Sequence, residues 1–101
     1  MTDWLIAFLV TVAIELPIVG ACAPRGLRRR AWLDCCLANV ATHPLAWLLV
    51  MSRTLSWTAT ECAVVLAEAL IYGVVTALPW RRAALAALFA NGVTAALSFA
   101  F

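Results

Sequence analysis

The chain has 101 residues, 66% of them hydrophobic and 12% charged, with a mean hydropathy of +1.02. Soluble domains run at about 45–50% apolar and about 25% charged, so an ordinary soluble domain is excluded. The net charge of +2 rests on seven arginines that flank apolar blocks instead of clustering into a patch, which argues against nucleic-acid binding. The blocks themselves are long enough for membrane helices.

In chain order, the first span is expected from Trp4 to Ala23, with Pro17 inside it and Pro24-Arg25-Gly26 as its stop. Pro17 is expected to free a carbonyl one turn earlier and to kink the helix beside Glu15. Met1-Thr2-Asp3 lacks the basic start of a signal peptide, so this span is expected to be retained. After a basic loop, Arg25 to Arg30, the second span runs from Ala31 to Met51, with Asp34 in its first turn, where a carboxylate suits the helix dipole, and Pro44 near its middle. Ser52 to Ser56 form a short loop. The third span starts at Trp57, where Thr58-Ala59-Thr60-Glu61 fits a capping box, and ends near Leu78 before Pro79. The fourth runs from Arg81 to Phe101. At 1.5 Å per residue, spans of about 20 residues cross a hydrocarbon core of about 30 Å.

Arginine bias sets the expected orientation. The loops after spans one and three hold Arg25, Arg28, Arg29, Arg30, Arg81 and Arg82, and the other face has only Arg53. The positive-inside rule therefore places those loops in the cytoplasm and both termini outside, in a multi-pass protein of the cytoplasmic (inner) membrane. Trp4 and Trp57 then mark the outer interface, Trp32 and Trp80 the inner one. The exclusive use of arginine over lysine hints at a GC-rich, bacterial genome. Cys22, Cys35, Cys36 and Cys62 show no C-x-x-C or zinc spacing and read as small helix residues. The vicinal pair Cys35-Cys36 is shared with bacterial mercury transporters, but the rest of their pattern is absent.

The two halves say nearly the same thing. An offset of 53 residues lays Trp57, Glu68, Ile71, Gly73 and Arg81-Arg82 on Trp4, Glu15, Ile18, Gly20 and Arg28-Arg29. With one residue dropped, Ala90-Asn91-x-x-Thr94-x-x-Leu97 falls on Ala38-Asn39-x-x-Thr42-x-x-Leu45. Matches of Glu, Asn, Trp, Gly and an arginine pair are informative because each is scarce here. We read an internal duplication, residues 4–51 and 57–101, within a single transmembrane domain, 1–101. The fold class is all-α: an integral membrane four-helix bundle of two tandem hairpins. Equal topology of the halves implies a pseudo-two-fold axis along the membrane normal, not an inverted repeat.

Counted from the span starts, Glu15, His43, Glu68 and Asn91 reach mid-depth, with Asn39 about a turn nearer the cytoplasm. Asn39, Thr42 and His43 share a face, as do Glu61, Glu68 and Tyr72, and Asn91, Thr94 and Ser98. One charged group at the bilayer centre costs roughly 2.5–3.5 kcal/mol on insertion scales, so these stripes are expected to face inward. The cost falls if one glutamate holds a proton or pairs with His43. One reading makes Glu15 and Glu68 structural glue, hydrogen-bonded to Asn39 and Asn91 at about 0.6 kcal/mol per contact. The other makes them a proton or cation site. His43 faces Ala95 in the repeat alignment, so a symmetric scaffold did not need it. It is either bonded within the bundle or a haem or metal ligand, with Glu15, Glu68 or a second copy's His43 as partner. Glu61 reads as a cap, and Arg28 to Arg30 as topology determinants and headgroup contacts.

The combination Glu15-Leu16-Pro17, Asn39-x-x-Thr42-His43-Pro44, Glu61-x6-Glu68-x3-Tyr72 and Asn91-x-x-Thr94 resembles a family of small four-span bacterial membrane proteins without an assigned activity. The resemblance implies a fold and a shared polar core, and no reaction. Three functions are open. The first is a transporter or channel protomer whose Glu15, Glu68 and His43 bind a proton or cation. The second is a non-catalytic subunit that docks into a larger membrane complex by the small-residue face of span four, Ala86, Ala90, Thr94 and Ser98. The third, ranked last, is an intramembrane enzyme, since only Thr42 stands beside a base and adjacent helix positions point apart. The expected partners are the lipid bilayer and either further copies of the chain or another membrane subunit. The sequence names no cofactor.

Overall fold

The computed structural model describes residues 2–98. Four helices dominate: α1, Thr2–Cys22; α2, Arg28–Met51; α3, Trp57–Leu70; and α4, Trp80–Ser98. A 3₁₀ turn, Arg25–Leu27, precedes α2, and a π-helical turn, Ile71–Val75, extends α3. No strand occurs among the described residues. α1 packs on α2 and α4, and α3 packs on the same two, so the helices follow one another around a closed ring with α1 opposite α3. The body measures 39 × 22 × 20 Å.

Three helical stretches are long and apolar enough to cross a membrane, Trp4–Cys22, Arg25–Met51 and Trp57–Val75. The expectation of four is met only to that extent: α4, which opens with Trp80-Arg81-Arg82 and carries Asn91, is not among them. Its expected end, Phe99 to Phe101, lies outside the described residues.

Several boundaries differ from the sequence reading. α2 begins at Arg28, so Asp34 is not in its first turn and the dipole role falls away. The capping box at Thr58 is also overturned. Ser56 is the cap of α3, its hydroxyl accepting the Ala59 amide at 3.1 Å, and Glu61 lies too deep in the helix to share that role. α2 closes in a Schellman motif, Thr54 N–H to Leu49 O and Arg53 N–H to Val50 O, both 3.1 Å, with Arg53 at φ 59° where glycine is usual. α1 and α2 run unbroken through Pro17 and Pro44.

The core is built of small residues. Ala31, Cys35, Ala83, Ala86, Ala87 and Ala90 are fully buried, while Leu33, Leu37, Leu66, Leu70 and Val74 point outward. That distribution inverts a soluble core. It lets helix backbones approach closely and leaves a broad apolar exterior that calls for lipid or a partner. Two glycines set the closest approaches. The Trp32 ring lies against Gly20 and the Trp80 ring against Gly73, where any side chain would collide, and the Trp32 indole donates to Leu16 O at 3.1 Å. At the end of α1, Arg28 Nε donates to Gly20 O and Arg82 Nη1 to Cys22 O, both 3.1 Å. These arginines, one from each half, satisfy carbonyls at the negative end of the helix dipole.

Candidate functional site

Glu15 and Glu68 project into the bundle from opposite helices, each with zero exposed surface. Asn39 Nδ2 donates to Glu15 Oε1 at 3.2 Å, and Asn91 Nδ2 to Glu68 Oε2 at 2.6 Å. Each amide also donates to the carbonyl one turn back, Cys35 O at 2.9 Å and Ala87 O at 2.8 Å, which holds the side chain against its own helix and aims it. The remaining oxygens take threonines from the other half: Thr42 Oγ1 to Glu68 Oε1 at 3.5 Å and Thr94 Oγ1 to Glu15 Oε2 at 3.4 Å. Every carboxyl oxygen thus accepts one bond, and every glutamate is tied to both halves.

This cluster unites Glu15, Asn39, Thr42, Glu68 and Asn91 as the sequence led one to expect, and Thr94 joins them. Asn39, expected about a turn nearer the cytoplasm, reaches Glu15 directly through its side-chain amide. His43 departs from expectation. Its ring lies against Trp4 and Phe8, with centroids 5.8 and 5.5 Å apart, its Nε2 has no hydrogen-bond partner, and no ion pair links it to either glutamate among the described residues. The metal reading of His43, Glu15 and Glu68 finds no support either: no three His, Cys, Asp or Glu side chains converge among the described residues. The small face of α4 is turned inward at Ala86 and Ala90, which are buried within the bundle itself, and the side chain of Ser98 lies outside what is described.

A cavity of about 260 Å³ stands above the cluster, toward the end formed by Met51 and Trp57. Its floor is Asn39, Thr42, Asn91 and Thr94, and its walls include His43 and Glu61. The four donors to the glutamates are therefore reachable from one end of the bundle. Pockets for drug-sized ligands measure about 300–1,000 Å³, so this one suits water, an ion or a small molecule.

A second buried polar group lies toward the arginine-rich end, where the sequence reading placed none. Thr76 Oγ1 donates to Asp34 Oδ2 at 2.6 Å, with Arg30 Nε 3.8 Å from the same oxygen. Between this pair and the glutamates sits Tyr72, fully buried; its hydroxyl faces the Cys35 thiol and has no nitrogen or oxygen partner. Thr76 was legible only in part. It continues the Glu68, Tyr72 spacing by another four residues, but the π turn that carries it left no sign in the sequence. Compared with protein-family models, curated proteins and solved structures, the chain matches none.

Proposed function

We propose that the chain is a four-span bundle of the cytoplasmic membrane, built from two tandem hairpins about a pseudo-two-fold axis, with both termini outside. We further propose that it acts as a proton- or cation-linked transporter or channel protomer. The observation that carries this reading is the pair of wholly buried glutamates beneath a cavity open to one end. An acid held inside a bundle with an apolar exterior is costly, and donors placed on both oxygens offset that cost while leaving a site able to take and release a proton or small cation. The exchanged threonine bonds support the two-fold arrangement, because each half completes the other's site. A four-helix bundle with a packed alanine core leaves little room for a wide pore, so assembly with further copies or another membrane subunit forms part of the proposal.

A second reading is favoured by one observation. All four carboxyl oxygens are satisfied within the protein, as in a lock that fixes the four helices of an accessory subunit. Purified protein in liposomes with a trapped pH indicator, under an imposed potential, separates the two. Transport predicts a flux that Glu15→Gln and Glu68→Gln each reduce at least tenfold while the folded bundle persists. A wild type without proton or cation flux removes the transport reading and leaves the lock.

A further inference from the structure

The cavity opens over the donors to the glutamates at the Met51 and Trp57 end, so a transported species needs a way out at the other. Below Glu15 and Glu68 the bundle is closed by Val19, Ala31, Ala83, Ala86 and Ala87, all with zero exposure. A hydrated ion does not fit through such packing. Hydroxyl, thiol and carboxyl groups do continue there. Glu68, Tyr72 and Thr76 follow at four-residue steps on the third helix, and the π turn between Ile71 and Val75 brings Thr76 onto Asp34 of α2, 2.6 Å away. Cys35 stands beside Asp34 in the chain and faces the Tyr72 hydroxyl. That hydroxyl is wholly buried, and among the described residues it has no nitrogen or oxygen partner and faces only the weakly accepting Cys35 thiol. A purely structural tyrosine at this place would leave out the costly oxygen, as phenylalanine does.

We propose that the species passing the glutamates is a proton, and that it leaves toward the arginine-rich end by way of Tyr72 and the Asp34–Thr76 pair. This rests on the transport reading above. Each step moves one proton and no electrons. The Tyr72 oxygen takes up a proton that leaves the Glu68 carboxyl and releases its own toward Thr76 and Asp34, a water molecule bridging each hand-over, since the hydroxyl lies beyond direct hydrogen-bond reach of either carboxyl. Asp34 then releases a proton to water among the arginines, and the tyrosine and threonine hydroxyls rotate back. Because each relay group both donates and accepts, the column carries protons and excludes metal cations.

The test uses the full chain in liposomes. Tyr72→Phe keeps the ring and its packing and removes only the hydroxyl, and Asp34→Asn keeps the shape of the exit. Both are expected to lower proton flux at least tenfold. Thr42→Val, which removes one long bond to Glu68 on its cavity side, is expected to lose less. In Tyr72→Phe the glutamates should still exchange protons from the cavity, visible as an unchanged carboxyl band in infrared difference spectra on a pH step. Wild-type proton flux with Tyr72→Phe and Asp34→Asn at wild-type rates overturns the relay and leaves the transport reading standing. So does a wild type that carries sodium or potassium in place of protons. A wild type that carries nothing removes both.

Discussion

Glu15 and Glu68 occupy aligned positions in the two halves, yet they are held differently. Glu68 has a short amide bond at 2.6 Å and a threonine, Thr42, whose hydroxyl has no other acceptor among the described residues. Glu15 has a longer amide bond, 3.2 Å, and shares the single Thr94 proton with the carbonyls of Ala90 and Asn91, both at 3.1 Å. The flanks differ too. Beside Glu68 the α2/α3 side carries Asp34, Cys35, Tyr72 and Thr76, and at the positions the repeat aligns with these stand Ala86, Ala87, Val19 and Ala23, all buried. One flank is given over to packing, and the other carries a carboxyl, a thiol and two hydroxyls. The comparison teaches that matched Glu, Asn and Thr residues fix the central contacts, while the residues around them set two environments for one kind of side chain.

Changes at paired positions test that difference. The largest effect is expected when an amide is lost. Asn91→Leu leaves the Glu68 carboxyl short of its best donor and should destabilise the bundle by about 1–3 kcal/mol, with Asn39→Leu costing less. Denaturant titration in micelles followed by circular dichroism measures both, and equal losses would erase the distinction between the two glutamates. Next come the glycines. Gly73→Ala and Gly20→Ala drive a methyl group into the Trp80 and Trp32 rings and should each cost about 1–3 kcal/mol by overpacking. The loss is expected to be greater at Gly73, where the ring sits closer, and Trp80→Leu should relieve it. Smaller still, Thr42→Val and Thr94→Val remove long bonds worth about 0.6 kcal/mol each, with Thr94→Val the milder because its proton has other acceptors. The smallest effect on stability is expected from Tyr72→Phe, whose lost hydroxyl has no nitrogen or oxygen partner among the described residues and faces only a thiol. A clear destabilisation by that change would show that the tyrosine oxygen is bound in the folded protein, and that the polar flank serves structure.

Part of this architecture is legible in the residues alone. Composition demands an apolar exterior, because so few charged groups cannot cover a soluble surface of this size. Breakers and arginine loops divide the chain into helices, because proline lacks the amide and the arginines interrupt the apolar runs. The scarcity of Glu, Asn and Gly lets the two halves of the sequence be aligned, and helical spacing puts Asn39 with Thr42 and Asn91 with Thr94 on common faces. Those readings depend on local chemistry and periodicity, which the sequence carries directly. The rest depends on which faces meet. That each glutamate takes its threonine from the other half, that His43 turns to Trp4 and Phe8, and that Ala86 and Ala90 are spent inside the bundle are consequences of helix rotation and close packing. Asp34 finds Thr76 only because the third helix widens into a π turn at Ile71–Val75, and that widening answers to long-range contacts among four helices, which no short stretch of the chain encodes.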